Sequence, residues 1–408
     1  MSDGTREVVP DDLPEAVADG APAESLPPAR PARRLVSRRK LLMGVAGLGT
    51  LAAAAGVNEW VRRRNSHGPR LWQTTAASGR LELSTGRQQA LYVSGFDSSV
   101  RALDLRTGEV RWSHSVSTPH DAEQQGGWPL AAGEGAVCVA TDTHLRVLDA
   151  ASGEQRWEAA APYWSQFAGK QRPAVSGDSV FAAHGSSVRC FDLATGKPRW
   201  TGPVLFADSL ALDGGTVYAA GESTGVVALD ARTGEQLWER KVAVTGPLTA
   251  HRGALFHTSE GLGGTVVTAL EGSTGEVLWG SFQYGRVTCP LSAADRTVFV
   301  FGGARLLALD ADTGDRRWSA DVPVGSHPGP TAMTAAVGGG VYADAGDDQL
   351  YAFDLATGEL RWQDQSEPPG GDIGGGNPIR LAAADGTVYR SSRAGVLALG
   401  ALPPLLSA

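Results

Sequence analysis

The sequence predicts an all-β protein, an eight-bladed β-propeller over residues 71–401, preceded by a disordered and signal-like segment. Three observations predict it. A nine-residue phrase, first met as Asp104–Trp112, recurs as Asp149–Trp157, Asp192–Trp200, Asp230–Trp238, Glu271–Trp279, Asp310–Trp318 and Asp354–Trp362. The seven closing tryptophans are spaced by 45, 43, 38, 41, 39 and 44 residues, a period that belongs to arrays and propellers. Around each phrase lie short apolar runs divided by Gly and Asp. They supply four strands per period, and four antiparallel strands at that period make a propeller blade.

Taken in chain order, residues 1–40 are read as a disordered tail and a basic run. Residues 1–29 hold seven acidic residues against one Arg, with many Pro and Ala. Few large apolar side chains are present to bury a core. Residues 30–40 turn basic, and a mildly apolar stretch follows over 41–57. That order is the order of an export signal. Ser37-Arg38-Arg39-Lys40-Leu41-Leu42 resembles a twin-arginine signal, with Arg38 and Arg39 as its pair. At seventeen residues the stretch also reaches the short limit of a membrane-spanning helix. The segment is therefore read as a cleaved signal or a retained anchor. Six Lys or Arg precede it and four follow, which sets the N-terminus inside and the propeller outside. Residues 58–70 are read as a linker, and 402–408 as a tail.

Each phrase has a physical reading. The Asp side chain accepts backbone N–H bonds two residues on and sets a turn. The Gly four residues before the Trp supplies a positive φ. The structural set is Asp104, Gly108 and Trp112; Asp149, Gly153 and Trp157; Asp192, Gly196 and Trp200; Asp230, Gly234 and Trp238; Gly275 and Trp279 after Glu271; Asp310, Gly314 and Trp318; and Asp354, Gly358 and Trp362. A ring of that size buries roughly 150–250 Å². At about 25 cal/mol per Å², each is a contact worth several kcal/mol between neighbouring units. These tryptophans are read as structure, with no ligand role. Trp72 lies 40 residues before Trp112, on the same lattice, with no phrase ahead of it. Gly386–Tyr389 and Gly395–Ala398 make two strands with no Trp after them. The two fragments complete each other, so the N-terminal strand becomes the outer strand of the last blade. Closure removes open sheet edges inside the ring.

The pattern Ala102-x-Asp104-x-x-Thr107-Gly108-x-x-x-Trp112 resembles the tryptophan-docking motif of the PQQ-like, or quinoprotein-type, β-propeller repeat family. The resemblance covers residues 71 to about 401. It implies the propeller fold and, by its assembly-factor branch, a non-catalytic interaction role. It does not carry chemistry by itself, because a fold hosts many functions.

Charge and cysteines narrow the classes. Residues 1–29 carry −6, residues 30–70 carry +9, and the total of −8 leaves −11 for residues 71–408. An acidic propeller disfavours a nucleic-acid partner. Cys138, Cys190 and Cys289 show no metal or redox spacing and are read as buried free thiols.

The repeat register places the loops after each Trp around the channel mouth, where variable side chains can converge on a ligand. Trp128, Arg172 and Asn377 each precede a Pro at the start of an inner strand, and His120, Trp164 and Asp372 lie in the same loops. An aromatic face and a guanidinium there could stack on and pair with a planar or anionic ligand. The alternative is that they plug the channel. No catalytic triad, metal pair or phosphate loop is visible.

The expected function is an exported or membrane-tethered, non-catalytic binding propeller. Its partner is a protein or small molecule of the cell envelope, with residues 41–57 giving membrane association if they are retained. No resident cofactor or metal is expected, and the chain is expected to be a monomer. The resemblance also implies two alternatives. A PQQ- and calcium-dependent dehydrogenase would take Asp372 and Asn377 as ligands, but no third carboxylate is marked out and adjacent cysteines are absent. A ligand-sensing propeller, of the kind appended to membrane kinases, would act here without a kinase motif.

Overall fold

Ala90–Gly95, Thr297–Gly302 and Gly340–Asp344 are buried at every position. A strand covered on both faces needs a sheet packed against each face. The computed structural model meets that need with a ring. It describes residues 68–403 except 76, 78, 84–89, 96, 117–127, 142, 161–171, 185–186, 205–206, 208, 222–224, 285–286, 288–289, 303, 323–332, 345–348, 365–379 and 393–394.

Eight four-stranded sheets follow one another in chain order. Blade 1 consists of Gly79–Leu83, Ala90–Gly95, Ser99–Asp104 and Val110–Ser115, paired antiparallel from channel to rim. Blades 2 to 7 repeat the plan, with inner strands Leu130–Gly133, Ala174–Ser176, Ser209–Asp213, Thr249–His251, Ser292–Ala294 and Met333–Val337. Blade 8 takes Arg380–Ala384, Thr387–Ser392 and Gly395–Gly400 from the C-terminal end, and Arg70–Thr74 as its outer strand. Trp72 stands opposite Ala398 there. The eight blades and the composite last blade are as the repeats predict. Each inner strand neighbours the inner strands on either side, and Gly79–Leu83 meets Arg380–Ala384 to close the ring.

Burial falls from the middle strands to the rim. The outer strand Val110–Ser115 alternates between exposed and half-buried. The core is divided into clusters between blades. One joins Tyr92 of blade 1 to Val137 of blade 2, and another runs through Phe256, Phe299 and Phe353 of blades 5 to 7. Each phrase tryptophan faces a small or branched residue across a β-bulge, as Trp112 faces Ala102 and Trp157 faces Val147. The bulge re-aims the ring toward the next blade.

The tryptophans work as links. Trp72, Trp112, Trp157, Trp200, Trp238, Trp279 and Trp318 each donate the indole N–H to a backbone carbonyl of the next blade, at 2.8–3.1 Å. In every case the acceptor follows the first residue of the next phrase. The ring then covers the phrase glycine. A Cβ added at Gly108 would lie 2.4 Å from Trp72, and one at Gly153 2.5 Å from Trp112. Seven of the eight second strands carry an aromatic beside their own blade's Trp, for example Tyr218 at 5.9 Å from Trp238. Blade 2 has Cys138 there, and Trp157 instead meets Phe191 of blade 3 at 6.0 Å.

The seam between blades 7 and 8 departs from this pattern. Blade 8 has no phrase, so Trp362 lies over Gly68 and its buried indole N–H has no partner among the described residues. Other bonds take over. Arg390 pairs with Asp344 at 2.8 Å with both side chains buried. Leu402 N–H donates to Tyr342 Oη at 2.6 Å, and Gly339 N–H donates to the Leu402 carbonyl at 3.0 Å. Gly68 to Arg70 therefore belong to the propeller rather than to a linker, and Leu402 to the fold rather than to a tail. Ring closure draws residues from both sides of the seam. The signal or anchor expected at residues 41–57, with Arg38 and Arg39, lies outside the described residues.

Candidate functional site: an apolar rim on blades 4 and 5

The rim chemistry starts from the phrase. Asp104 Oδ1 accepts the backbone N–H groups of Arg106 and Thr107 at 2.9 and 3.1 Å, which folds the turn. Its other oxygen accepts Arg111, the residue just before the Trp, at 2.7 Å. Arg156–Asp149, Arg199–Asp192, Arg317–Asp310 and Arg361–Asp354 repeat that pair at 2.6–2.8 Å. The Arg111 hydrogen bond and the turn amides hold Asp104 at about 2. Arg156 does the same for Asp149, also at about 2. The repeating turn is thus a charged surface feature whose groups are consumed by the fold.

Blades 4 and 5 break the rule. The residue before the Trp is Leu237 in one and Leu278 in the other, and they are 49% and 50% exposed. Asp230 is left to its turn, where Thr233 gives it both backbone and side-chain bonds. On the same strand as Leu278, Val277 and Phe282 are also exposed. Blade 5 is the tall blade. Its strands Ala254–Gly261, Gly264–Glu271 and Val277–Tyr284 have eight residues each, where the outer strands of the other blades have five or six. The extra length lifts a hairpin tip bearing Leu262, which is fully exposed. Phe282 lies over Gly261 and Gly264 beneath that tip, since a Cβ at Gly264 would lie 2.9 Å from its ring. Leu71 holds the corresponding place in blade 8, where it follows Arg70.

The residues expected at the channel mouth fare differently. Trp128 is 1% exposed and packs with Tyr92, Val100 and Leu130. Its backbone N–H donates to Ser94 Oγ at 2.7 Å. It belongs to the packing between blades 1 and 2, and its burial leaves no open aromatic face. Arg172 is exposed, and its Nε donates to the Leu130 carbonyl at 2.9 Å, tying blade 3 to blade 2. His120, Trp164, Asp372 and Asn377 lie outside the described residues. Polar side chains on the described inner strands bond from blade to blade. Ser209 Oγ accepts Leu248 N–H at 2.9 Å, Thr249 Oγ1 donates to the Leu291 carbonyl at 2.9 Å, and Ser292 shares a 2.7 Å bond with Thr334.

Cys138 and Cys190 are buried free thiols, and burial pushes the Cys190 thiol up to about 11. Cys289 lies outside the described residues. Among the described residues no three His, Cys, Asp or Glu side chains gather closely enough to hold a metal ion. His257 is 2% exposed between blades 4 and 5, and neither ring nitrogen has a partner among the described residues. Burial holds its pKa below the ordinary value, and the Arg240 charge adds to the effect.

A family profile described as outer membrane protein assembly factor BamB matches residues 30–240 and 222–402. The chain belongs to this family. Its crystal-structure neighbours share the fold. BamB from Moraxella catarrhalis superposes with a TM-score of 0.58 at 17% identity, over 81% of this chain and 96% of that one. Quinohemoprotein alcohol dehydrogenase from Comamonas testosteroni superposes with a TM-score of 0.57 at 16% identity, over 85% of this chain and 78% of the other. Among sequence relatives, the serine/threonine-protein kinase AfsK of Streptomyces griseus is 35% identical over 161 residues, 37% of this chain and 19% of the kinase. BamB of Yersinia pestis is 27% identical over 225 residues, 47% of this chain and 56% of that protein. The matches thus span about a fifth of the kinase and about half of the assembly factor.

Within this family frame, Leu237 and Leu278 were not among the expected site residues. The signal was present in the aligned phrases, where Arg precedes Trp in five of seven copies and Leu in two. What the sequence did not reveal was that both leucines stay exposed on adjacent blades.

Proposed function

We propose that this chain is a non-catalytic interaction propeller of the cell envelope, which binds a protein partner through its outer surface. The observation that carries the reading is the replacement of the Arg–Asp pair by exposed Leu237 and Leu278 on neighbouring blades. Exposed apolar residues that cluster mark interaction surfaces, whereas single ones do not. The family match supports the same class of role. The Arg38-Arg39 motif and the apolar run over 41–57 support placement outside the cytoplasm, secreted or tethered. No quinone or calcium is needed for this role, and the chain would act as a monomer within an assembly.

The dehydrogenase reading keeps a place because of the quinohemoprotein neighbour. The described residues do not favour it. Trp128 is buried and Arg172 is engaged with Leu130, so neither presents the stacking face or the guanidinium that reading would use, while its ligands Asp372 and Asn377 lie outside the described residues. The deciding experiment is photo-crosslinking of the full chain in its own envelope, with probes spread over the propeller surface. A polypeptide adduct is expected. No adduct from any position, together with dye-linked oxidation after adding PQQ and calcium, would replace this reading with the enzyme.

A further inference from the structure

The next step rests on the partner-binding reading and specifies how the partner docks. We propose that a partner polypeptide adds an extended segment to the outer edge of blade 5 along Val277–Tyr284, and that this segment carries apolar side chains flanked by Lys or Arg.

The outer strand of a propeller blade is a sheet edge, with one row of backbone N–H and C=O groups turned away from its own sheet. Proteins blunt such edges with charge, proline or short length. Seven blades do so. Their outer strands have five or six residues and carry at least one charge, such as Arg111, Arg156, Arg316 or Arg361, and Pro198–Pro203 adds two prolines to Arg199. Val277–Tyr284 has eight residues and neither charge nor proline. It lies at the edge of its sheet, beyond Gly264–Glu271. Leu278, Gly280 and Phe282 share one face by the two-residue period, and all three are exposed. An added strand would gain main-chain bonds from the edge and side-chain contacts from that face, as in strand-addition complexes.

Charge selects the occupant. From Thr249 to Tyr284 blade 5 holds Glu260, Glu271 and Glu276 against one cation, Arg252, in the turn after the inner strand, and Arg240 of blade 4 is engaged with the Gly275 carbonyl at 3.0 Å. A second copy of the chain would bring the same three glutamates to a homotypic edge, within a propeller that already carries −11. A segment flanked by cations would be attracted instead, and complementary charge also raises the rate of encounter.

The test uses the full chain and a fluorescent nine-residue probe peptide, alternating Val and Thr with two Lys at each end. A counterpart with Glu in place of Lys is the control. The proposal expects saturable binding of the basic peptide and slowed amide exchange along residues 277–284. Leu278→Lys and Phe282→Lys should each weaken binding roughly tenfold or more, because a gatekeeper charge returns to the edge. Ser319→Lys, on the outer strand of blade 6, should leave it unchanged. Melting temperatures show that the variants are folded. Absent binding, equal binding of the acidic peptide, protection outside 277–284, or dimerisation of the chain through this edge would each overturn the proposal. A crosslinker at Gly280 separates this proposal from the broader reading. Adducts elsewhere on the propeller with none at Gly280 sink strand addition and leave partner binding intact. No adduct from any surface position sinks both.

Discussion

Trp279 donates its indole N–H to the carbonyl of Ala311 at 2.9 Å, and its ring lies over Gly314, where an added Cβ would come within 2.6 Å. One side chain thus fixes both the spacing and the register of blades 5 and 6. Gly314 has φ +77, so two independent reasons exclude a side chain there. Gly314→Ala is expected to destabilise by about 2–4 kcal/mol through overpacking and left-handed strain together. Gly214→Ala is the internal control. Gly214 has φ +55 and nothing within 4 Å of an added Cβ, so only the strain remains, about 1 kcal/mol. Urea unfolding midpoints of the two variants check the difference.

Trp362 lacks the bond that Trp279 makes. Trp279→Phe should therefore cost about 1 kcal/mol more than Trp362→Phe, because it also leaves the Ala311 carbonyl without its donor. Equal losses in a thermal melt would mean that the indole N–H contributes nothing to docking.

Arg390 and Asp344 form a buried pair across the seam. Asp344→Leu alone leaves a buried cation and should lose about 3–5 kcal/mol. The double variant Asp344→Leu/Arg390→Leu should recover most of that loss, since apolar packing often replaces a buried pair without penalty. A double-mutant cycle by chemical denaturation gives the coupling.

His257 sets an acid limb. Its folded pKa lies below the ordinary 6.5, so the unfolded chain binds the proton first as pH falls. Stability is expected to decline as pH drops below about 6.5 toward the depressed folded value. His257→Val, which matches Val93, Val139 and Val300 at the same place in other blades, should flatten that decline and raise the melting temperature at pH 6. A second limb should persist in the variant at lower pH. Asp104 and Asp149, held at about 2, lose their turn and Arg bonds only as pH falls from about 4 toward 2.

Leu237→Arg restores the residue that five other phrases use opposite their Asp. An exposed pair with Asp230 should change stability by no more than about 1 kcal/mol. The same change should weaken capture of the envelope partner, as measured by crosslinking yield. Unchanged capture would remove blade 4 from the interaction surface.

Much of this fold was legible in the chain. The Asp–Gly–Trp phrase is local chemistry: a side chain that folds its own turn, a glycine with positive φ, and a ring at fixed register. Seven copies at one period therefore determined the blades, and the displaced Trp72 determined that the N-terminal strand closes the ring. Tertiary structure decided what each side chain does once the blades stack. The sequence put Trp128 beside a channel, but packing against Tyr92 and Val100 buried it. Leu237 and Leu278 resembled any strand leucine, and only their place on the outermost strands left them exposed. Arg390 and Asp344 are 46 residues apart and meet because the second strands of blades 7 and 8 face each other across the closing seam. Exposure and pairing depend on what lies across the interface between blades, and that is a property of the closed ring rather than of any one repeat.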